Sequence, residues 1–158
     1  MNKKKIEKTA DTKHKIAFAF TIEGNNFSSA GEASIRLKHA LQHIGYPALL
    51  IRRIAVAAYE AEMNIIIHAH RGVMKAEITP ETVTIWAEDE GPGIPNVELA
   101  MQEGYSTAPD YIREMGFGAG MGLPNIKRCA DIFDIKTHIE KRGNIEKGTK
   151  IKIVIYNK

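Results

Sequence analysis

From Asp89 to Gly122 the chain is crowded with Gly, Pro, Ser, Thr and Asp, relieved only by one short helical pattern over Val97–Gln102. Connections longer than about 12–15 residues with no structure of their own are uncommon inside a domain, and as a rule are functional or mobile. The stretch therefore separates the regular patterning of the chain into two blocks of helices and strands.

In the first block Ile16, Phe18, Phe20 and Ile22 alternate with Ala17, Ala19 and Thr21, a period of two that predicts a strand. Gly24-Asn25-Asn26 breaks it. From Ser28 onward Ala33, Leu37, Ala40, Leu41 and Ile44 recur at three and four, which predicts an amphipathic helix closed by Gly45-Tyr46-Pro47. A second helix is expected from about Ala48 to about His70, with Leu50, Ile54, Ala58, Ala61, Ile65 and Ala69 as its buried stripe. Extended segments are expected over 74–79 and 82–88, joined at Pro80-Glu81. Beyond the long stretch come a helix expected over 123–132 and a hairpin with arms at 135–140 and 149–156, around Arg142-Gly143-Asn144. The order β-α-α-β-β-loop-α-β-β predicts an α+β fold: a two-layer α/β sandwich whose mixed, mostly antiparallel sheet carries its helices on one face.

At 158 residues the chain suits one domain, which at this size hides roughly 68–70% of its unfolded surface. The charge balance is 22 Lys+Arg against 19 Asp+Glu, a surplus of +3. Lys3, Lys4, Lys5, Lys8 and Lys13 sit in the first thirteen residues, so residues 1–13 read as a basic, frayed tail and 14–158 as the domain. The remainder is close to neutral, which argues against a nucleic-acid binder. The single cysteine, Cys129, excludes an intramolecular disulfide framework and points to a reducing compartment. No apolar run reaches the ~18–20 residues of a membrane span. The lysine-rich start has no apolar segment behind it, so no signal peptide is expected. A cytoplasmic protein is the expectation.

The most unusual feature is Gly116-Phe117-Gly118-Ala119-Gly120-Met121-Gly122-Leu123, with glycine at every second position leading into a helix. Such a backbone can approach an anion closely and aim N–H groups at it, as a phosphate loop would, or it can be a flexible surface loop. It is neither G-x-x-x-x-G-K-[ST] nor G-x-G-x-x-G, because Met121, Leu123, Asn125 and Lys127 stand where those patterns need glycine. Asp89-Glu90-Gly91-Pro92-Gly93-Ile94 follows a strand. It is either a polar turn or a carboxylate placed to accept from a ligand amine. Glu60, Asn64 and His68 stand four apart on one face of the second helix. Glu60 and Asn64 could hold Mg²⁺ through oxygen or water, or Glu60 could take a proton. His68 and His70 face apart and make a poor chelate, and Cys129 reads as packing.

Taken in order, Glu60…Asn64, Asp89-x-Gly91-x-Gly93, a long loop, the Gly116–Gly122 stretch and Gly148-Thr149 resemble the nucleotide site of the GHKL ATPases. These comprise gyrase, the large heat-shock chaperone, histidine kinases and mismatch-repair ATPases. The resemblance spans residues 15–156. Within it the tracts Ala87–Pro95, Glu103–Thr107 and Gly120–Pro124 are most similar to the small bacterial serine/threonine kinases that regulate sigma factors, above all the switch kinase of the stress-signalling complex.

That resemblance implies ATP and Mg²⁺. It implies a nucleotide-binding set of Asn64, Asp89, Gly91, Gly93, Ile94, Ser106, Thr107, Gly116, Gly118, Gly120, Met121, Gly122, Leu123 and Thr149. Asp89 would take the adenine amino group, Thr149 would support the base, and Asn64 would hold Mg²⁺ against the phosphates. Amides of Gly118–Gly122 would cap those phosphates. Glu60 would act as general base on an incoming hydroxyl, residues 97–115 would form a lid, and Arg113 would reach the γ-phosphate.

The residues Ala108–Met115 make this lid longer than in the switch kinases and more like that of the anti-sigma-factor kinases. They leave open whether Gly116–Gly118 or Gly120–Gly122 cradles the phosphates. With about fifteen residues before the first strand, the phosphoacceptor hairpin of a histidine kinase is not expected, nor the second domain of a gyrase. The expected function is an ATP-dependent serine/threonine kinase that regulates a sigma-factor or stress-signalling partner switch by phosphorylating a STAS-domain antagonist. The alternative is an ATP-binding anti-sigma factor or phosphatase-activating module that grips a sigma factor or a protein phosphatase with little or no transfer. A plain ATPase is the third reading. Homodimers occur among the anti-sigma relatives, so a homodimer is a further expectation.

Overall fold

The computed structural model describes residues 15–158; the basic segment 1–13 lies outside the described residues. The elements run β1 (Ile16–Glu23), α1 (Glu32–Ile44), α2 (Ala48–His68), β2 (Arg71–Ile78), β3 (Thr82–Asp89), α3 (Val97–Ala100), α4 (Asp110–Glu114), α5 (Gly122–Cys129), β4 (Ile132–His138) and β5 (Gly148–Tyr156). The strands form one sheet in the order β1-β2-β3-β5-β4. All four pairings are antiparallel, so the expected mixture of directions resolves into one.

One face of the sheet is covered. Met74, Ala76 and Ile78 of β2, Val83, Ile85 and Ala87 of β3, and Ile151, Ile153 and Ile155 of β5 are buried, and α1, α2 and α5 close over them. The intervening β2 residues Val73 and Lys75 are exposed. This is the two-layer arrangement that period-two strands facing one helical layer require. Helix α2 runs through the middle of the helical layer, with Ile54, Ala57, Ala58, Ala61, Ile65 and Ile66 buried. Among the described residues no helix is long and apolar enough to cross a membrane.

Several boundaries move from their predicted places for local reasons. The helix expected from Ser28 begins at Glu32, because a 3₁₀ turn (Phe27–Ser29) and Gly31 at φ +90 interrupt the helical path. Helix α2 stops at His68, where Ala69 turns extended and feeds β2. Helix α5 ends at Cys129, three residues short of the prediction. There the Arg53 guanidinium takes the Cys129 carbonyl at 2.7 Å. The long stretch also holds α4, started by Pro109 and anchored by buried Ile112. The sequence pattern did not disclose that helix.

The start of α1 has no side-chain cap of its own. Glu62 of α2, only 2% exposed, supplies one from 28 to 31 residues away. Its carboxylate accepts from the N–H groups of Gly31 (3.2 Å), Ala33 (3.3 Å) and Ser34 (3.3 Å). These are the N–H groups a helix start leaves unpaired, and an acidic group there also suits the helix dipole. Burial raises the Glu62 carboxyl above its ordinary value, while the three N–H groups pull it the other way. The contact sets how α1 lies against α2, and α2 carries Glu60 and Asn64.

Candidate active site

A cavity of about 460 Å³ opens between α2, the strand ends and the 90–122 segment. That is within the ~300–1,000 Å³ usual for small-molecule sites. Glu60 and every residue of the nucleotide-binding set that the resemblance implies line it, except Gly91. Gly91 is buried beside Ala69, and its N–H favours the ionised Asp89 carboxylate.

At one end Asp89 closes β3. Its Oδ1 accepts from the Thr149 N–H at 3.1 Å. Burial pushes the Asp89 carboxyl above the usual carboxylate range, opposed by the Thr149 and Gly91 N–H groups. Thr149 Oγ1 lies 3.1 Å from Thr137 Oγ1, which in turn accepts from the Ile94 N–H at 2.7 Å. Thr137 and Thr149 stand opposite each other in the β4–β5 register. Thr137 carried no motif, so only the pairing could reveal it. Gly148 is required here: at φ +143, a Cβ would lie 2.1 Å from the Asp89 carbonyl. His68 lines the cavity as well, and burial lowers its pKa, which favours the neutral imidazole.

At the other end α2 presents Glu60 and Asn64 to the start of α5. A Cβ on Gly122 would sit 3.3 Å from Glu60 Oε2 and 3.8 Å from Asn64 Oδ1. Glu60 Oε1 accepts from Asn125 Nδ2 at 3.1 Å, a partner the sequence reading missed. The 90–122 segment folds back on itself here. The Gly104 N–H donates to the Gly120 carbonyl at 3.0 Å. Gly120, at φ +79, brings its α-carbon so close that a Cβ would lie 2.5 Å from the Gly104 carbonyl carbon. Gly116, by contrast, faces open space. Phe117 stacks on Phe27 with ring centroids 5.1 Å apart. Arg113, expected at a γ-phosphate, instead donates to the Ser106 carbonyl at 2.6 Å and does not line the cavity.

The donor set fits a nucleotide. A buried carboxylate flanked by a threonine network can take an exocyclic amine, and a glycine-rich helix start offers N–H groups to an anion. Among the described residues no cluster of three His, Cys, Asp or Glu side chains could hold a metal alone. Asn64 Oδ1, facing the start of α5, is the kind of protein oxygen that Mg²⁺ takes alongside water and phosphate.

A one-sided antiparallel sandwich with a strand-end carboxylate facing a glycine-rich helix start is the architecture of a GHKL-type ATPase domain. The chain belongs to the histidine kinase-like ATPase domain family, whose pattern matches residues 28–151. It is 31% identical over 104 residues to the serine/threonine-protein kinase RsbT of Bacillus subtilis, covering 63% of this chain and 72% of that one. It is 33% identical over 114 residues to an anti-sigma F factor of Clostridium beijerinckii, covering 68% of this chain and 71% of the relative. Among solved structures, the SiaB–SiaC complex from Pseudomonas aeruginosa aligns with a TM-score of 0.60 at 13% identity, over 98% of this chain and 99% of that one. That likeness speaks for the fold alone.

Proposed function

We propose that this chain is an ATP-dependent serine/threonine protein kinase in a bacterial partner switch, with a STAS-domain antagonist of a sigma-factor pathway as its acceptor. The observation that carries the reading is the division of the cavity. Asp89 and Thr149 stand at one end, and at the other Glu60 Oε2 and Asn64 Oδ1 face the glycine start of α5. The similarity to a protein named as a serine/threonine kinase supports it.

In this reading Asp89 accepts the adenine amino group, with Thr149 and Thr137 holding the carboxylate side of the pocket. The backbone from Gly120 to Gly122 receives the phosphates, since Gly122 is the glycine that meets Glu60 and Asn64. Asn64 offers its amide oxygen to Mg²⁺, which when bound would neutralise phosphate charge. Glu60 Oε2 takes the proton of the acceptor hydroxyl as that oxygen bonds to the γ-phosphorus; the bond from phosphorus to the β–γ bridging oxygen breaks and ADP leaves. Phosphoryl transfer is largely positioning and charge stabilisation, so one base, one metal ion and a cradle of amides suffice.

A second reading is favoured by the similarity to proteins named anti-sigma F factor: ATP would shape a surface that grips a sigma factor or a protein phosphatase, with little transfer. Labelled ATP and a purified STAS-domain protein separate the two. Glu60→Gln should lower label transfer by about 10²–10⁴-fold while leaving ATP affinity within a few-fold by calorimetry. Equal labelling by both forms would remove Glu60 from the role of base.

A further inference from the structure

Asn125 lies half-buried on α5, outside any nucleotide motif, yet both ends of its amide are engaged. Nδ2 donates to Glu60 Oε1 at 3.1 Å, and Oδ1 accepts from Arg128 Nη1 at 3.1 Å. A guanidinium can only donate and a carboxylate can only accept. The two partners therefore fix the amide one way round; flipped, it would set N–H against N–H and oxygen against oxygen. Arg128 also pairs with Glu103, in the turn of the long segment whose next residue, Gly104, is bonded to Gly120.

The terminal torsion of a glutamate is broad, so the carboxylate has no preferred plane of its own that would aim an oxygen into the cavity. The Asn125 donor decides it. With Oε1 held on α5, Oε2 is the oxygen that faces Gly122. We propose that Asn125 is a positioning residue for the Glu60 base, and that Arg128 sets the Asn125 amide and passes the position of the Glu103 segment on to it. This rests on the assignment of Glu60 under Proposed function. A mere tie between α2 and α5 is the competing role, but buried Leu123 and Ile126 already pack that helix into the common core.

The test uses the full chain in excess over Mg·ATP, following single-turnover phosphate release with water as the acceptor, with AMP-PNP affinity and thermal melting measured alongside. Asn125→Ala should slow turnover by about 10-fold, since small misplacements of a reacting group are costly. Asn125→Asp, which sets a carboxylate against Glu60, should fall to the rate of Glu60→Gln. Asn125→Gln should recover part of the loss, and Arg128→Ala should cost about 2–3-fold, because its ion pair is exposed. AMP-PNP affinity should stay within 2-fold and melting within about 2 °C, as befits positioning rather than scaffolding. Should Glu60→Gln slow turnover while Asn125→Ala does not, positioning is overturned and the base assignment stands. If Glu60→Gln itself turns over normally, both fall. A readout that needs no turnover is the side-chain amide signal of Asn125 in a ¹⁵N NMR spectrum. Glu60→Gln should displace that pair of resonances, and unmoved signals overturn the contact outright.

Discussion

The two ends of the cavity are made of different material. Around Asp89 the main contacts follow from sheet register: β3 delivers the carboxylate, β5 the Thr149 N–H, and β4 the Thr137 hydroxyl opposite Thr149. Around Gly122 the walls are one face of α2 and a doubled-back segment whose helices are four and five residues long. That segment is held by single backbone bonds such as Gly104 to Gly120 and by the Phe27–Phe117 stack. A ladder cannot shift one residue without turning its side chains over, whereas a segment with few shared hydrogen bonds opens at low cost. On the proposed reading, the Asp89 end would select the base and the Gly122 end would close over the phosphates and release them.

If that division is real, substitutions at the two ends should weaken different ligands. The largest effect is expected from Gly120→Ala. A left-handed φ of +79 and a Cβ 2.5 Å from the Gly104 carbonyl carbon add roughly 1–3 kcal/mol of strain and displace the folded-back segment. ATP affinity should fall by up to about 150-fold, while AMP, which lacks the outer phosphates, should change by no more than about 3-fold; calorimetry with both ligands decides. Asn in place of Asp89 comes next. It loses a charged hydrogen bond of about 1.5–3 kcal/mol, so ATP and AMP should weaken together, each by about 10–100-fold. Parallel losses for Gly120→Ala, or divergent ones for Asp89→Asn, would erase the distinction.

Acidity sharpens the same contrast. Burial holds the Asp89 carboxyl above its ordinary range, so the folded chain keeps that proton to a higher pH than the unfolded chain does. Two signs follow. Between the ordinary and the raised value the free protein loses stability as pH rises, because the unfolded state binds fewer protons there. Nucleotide affinity gains over the same range, since the ionised carboxylate is the form that accepts the adenine amine. Melting temperature and affinity measured against pH should therefore slope in opposite directions. Asp89→Asn should flatten the affinity curve for ATP and AMP alike. The stability curve should keep the share due to Glu62, which burial raises in the same sense.

The same split governs what the sequence discloses. Strand and helix periodicities reflect one-sided burial and are local, so the two-layer architecture and the Glu60–Asn64–His68 face were legible. The glycine stretch and the carboxylate after a strand were legible too, and with them the resemblance supplied about half of the cavity lining; Tyr59, Met63 and Ile67 of α2, which also line it, carried no such signal. Thr137, Glu62 and Asn125 were not legible. Each acts through a partner far away in sequence: Thr137 through Ile94, Glu62 through the start of α1, and Asn125 through Glu60. No local pattern encodes such a meeting. Helix α4 escaped for another reason: at five residues with one buried side chain, it has too little periodicity to show. Arg113 was misplaced because position along a lid does not fix where a long side chain turns.

The smallest expected effect tests where the phosphate end is fastened. Phe27 belongs to the turn after β1, on the frame, and Phe117 lies between Gly116 and Gly118, inside the glycine segment. Their stack is therefore a point at which the two materials touch. Removing it with Phe27→Ala forfeits about 0.5–1.5 kcal/mol of ring pairing beyond the lost area, and the loss should fall on the segment, which has fewer other holds. ATP should bind roughly 2–10-fold more weakly, AMP as before, and Phe27→Leu, which keeps bulk but not the ring face, should lie between. An equal loss for AMP would mean that the stack braces the base end through β1, and the boundary between the two regions would have to be drawn on the far side of Phe117.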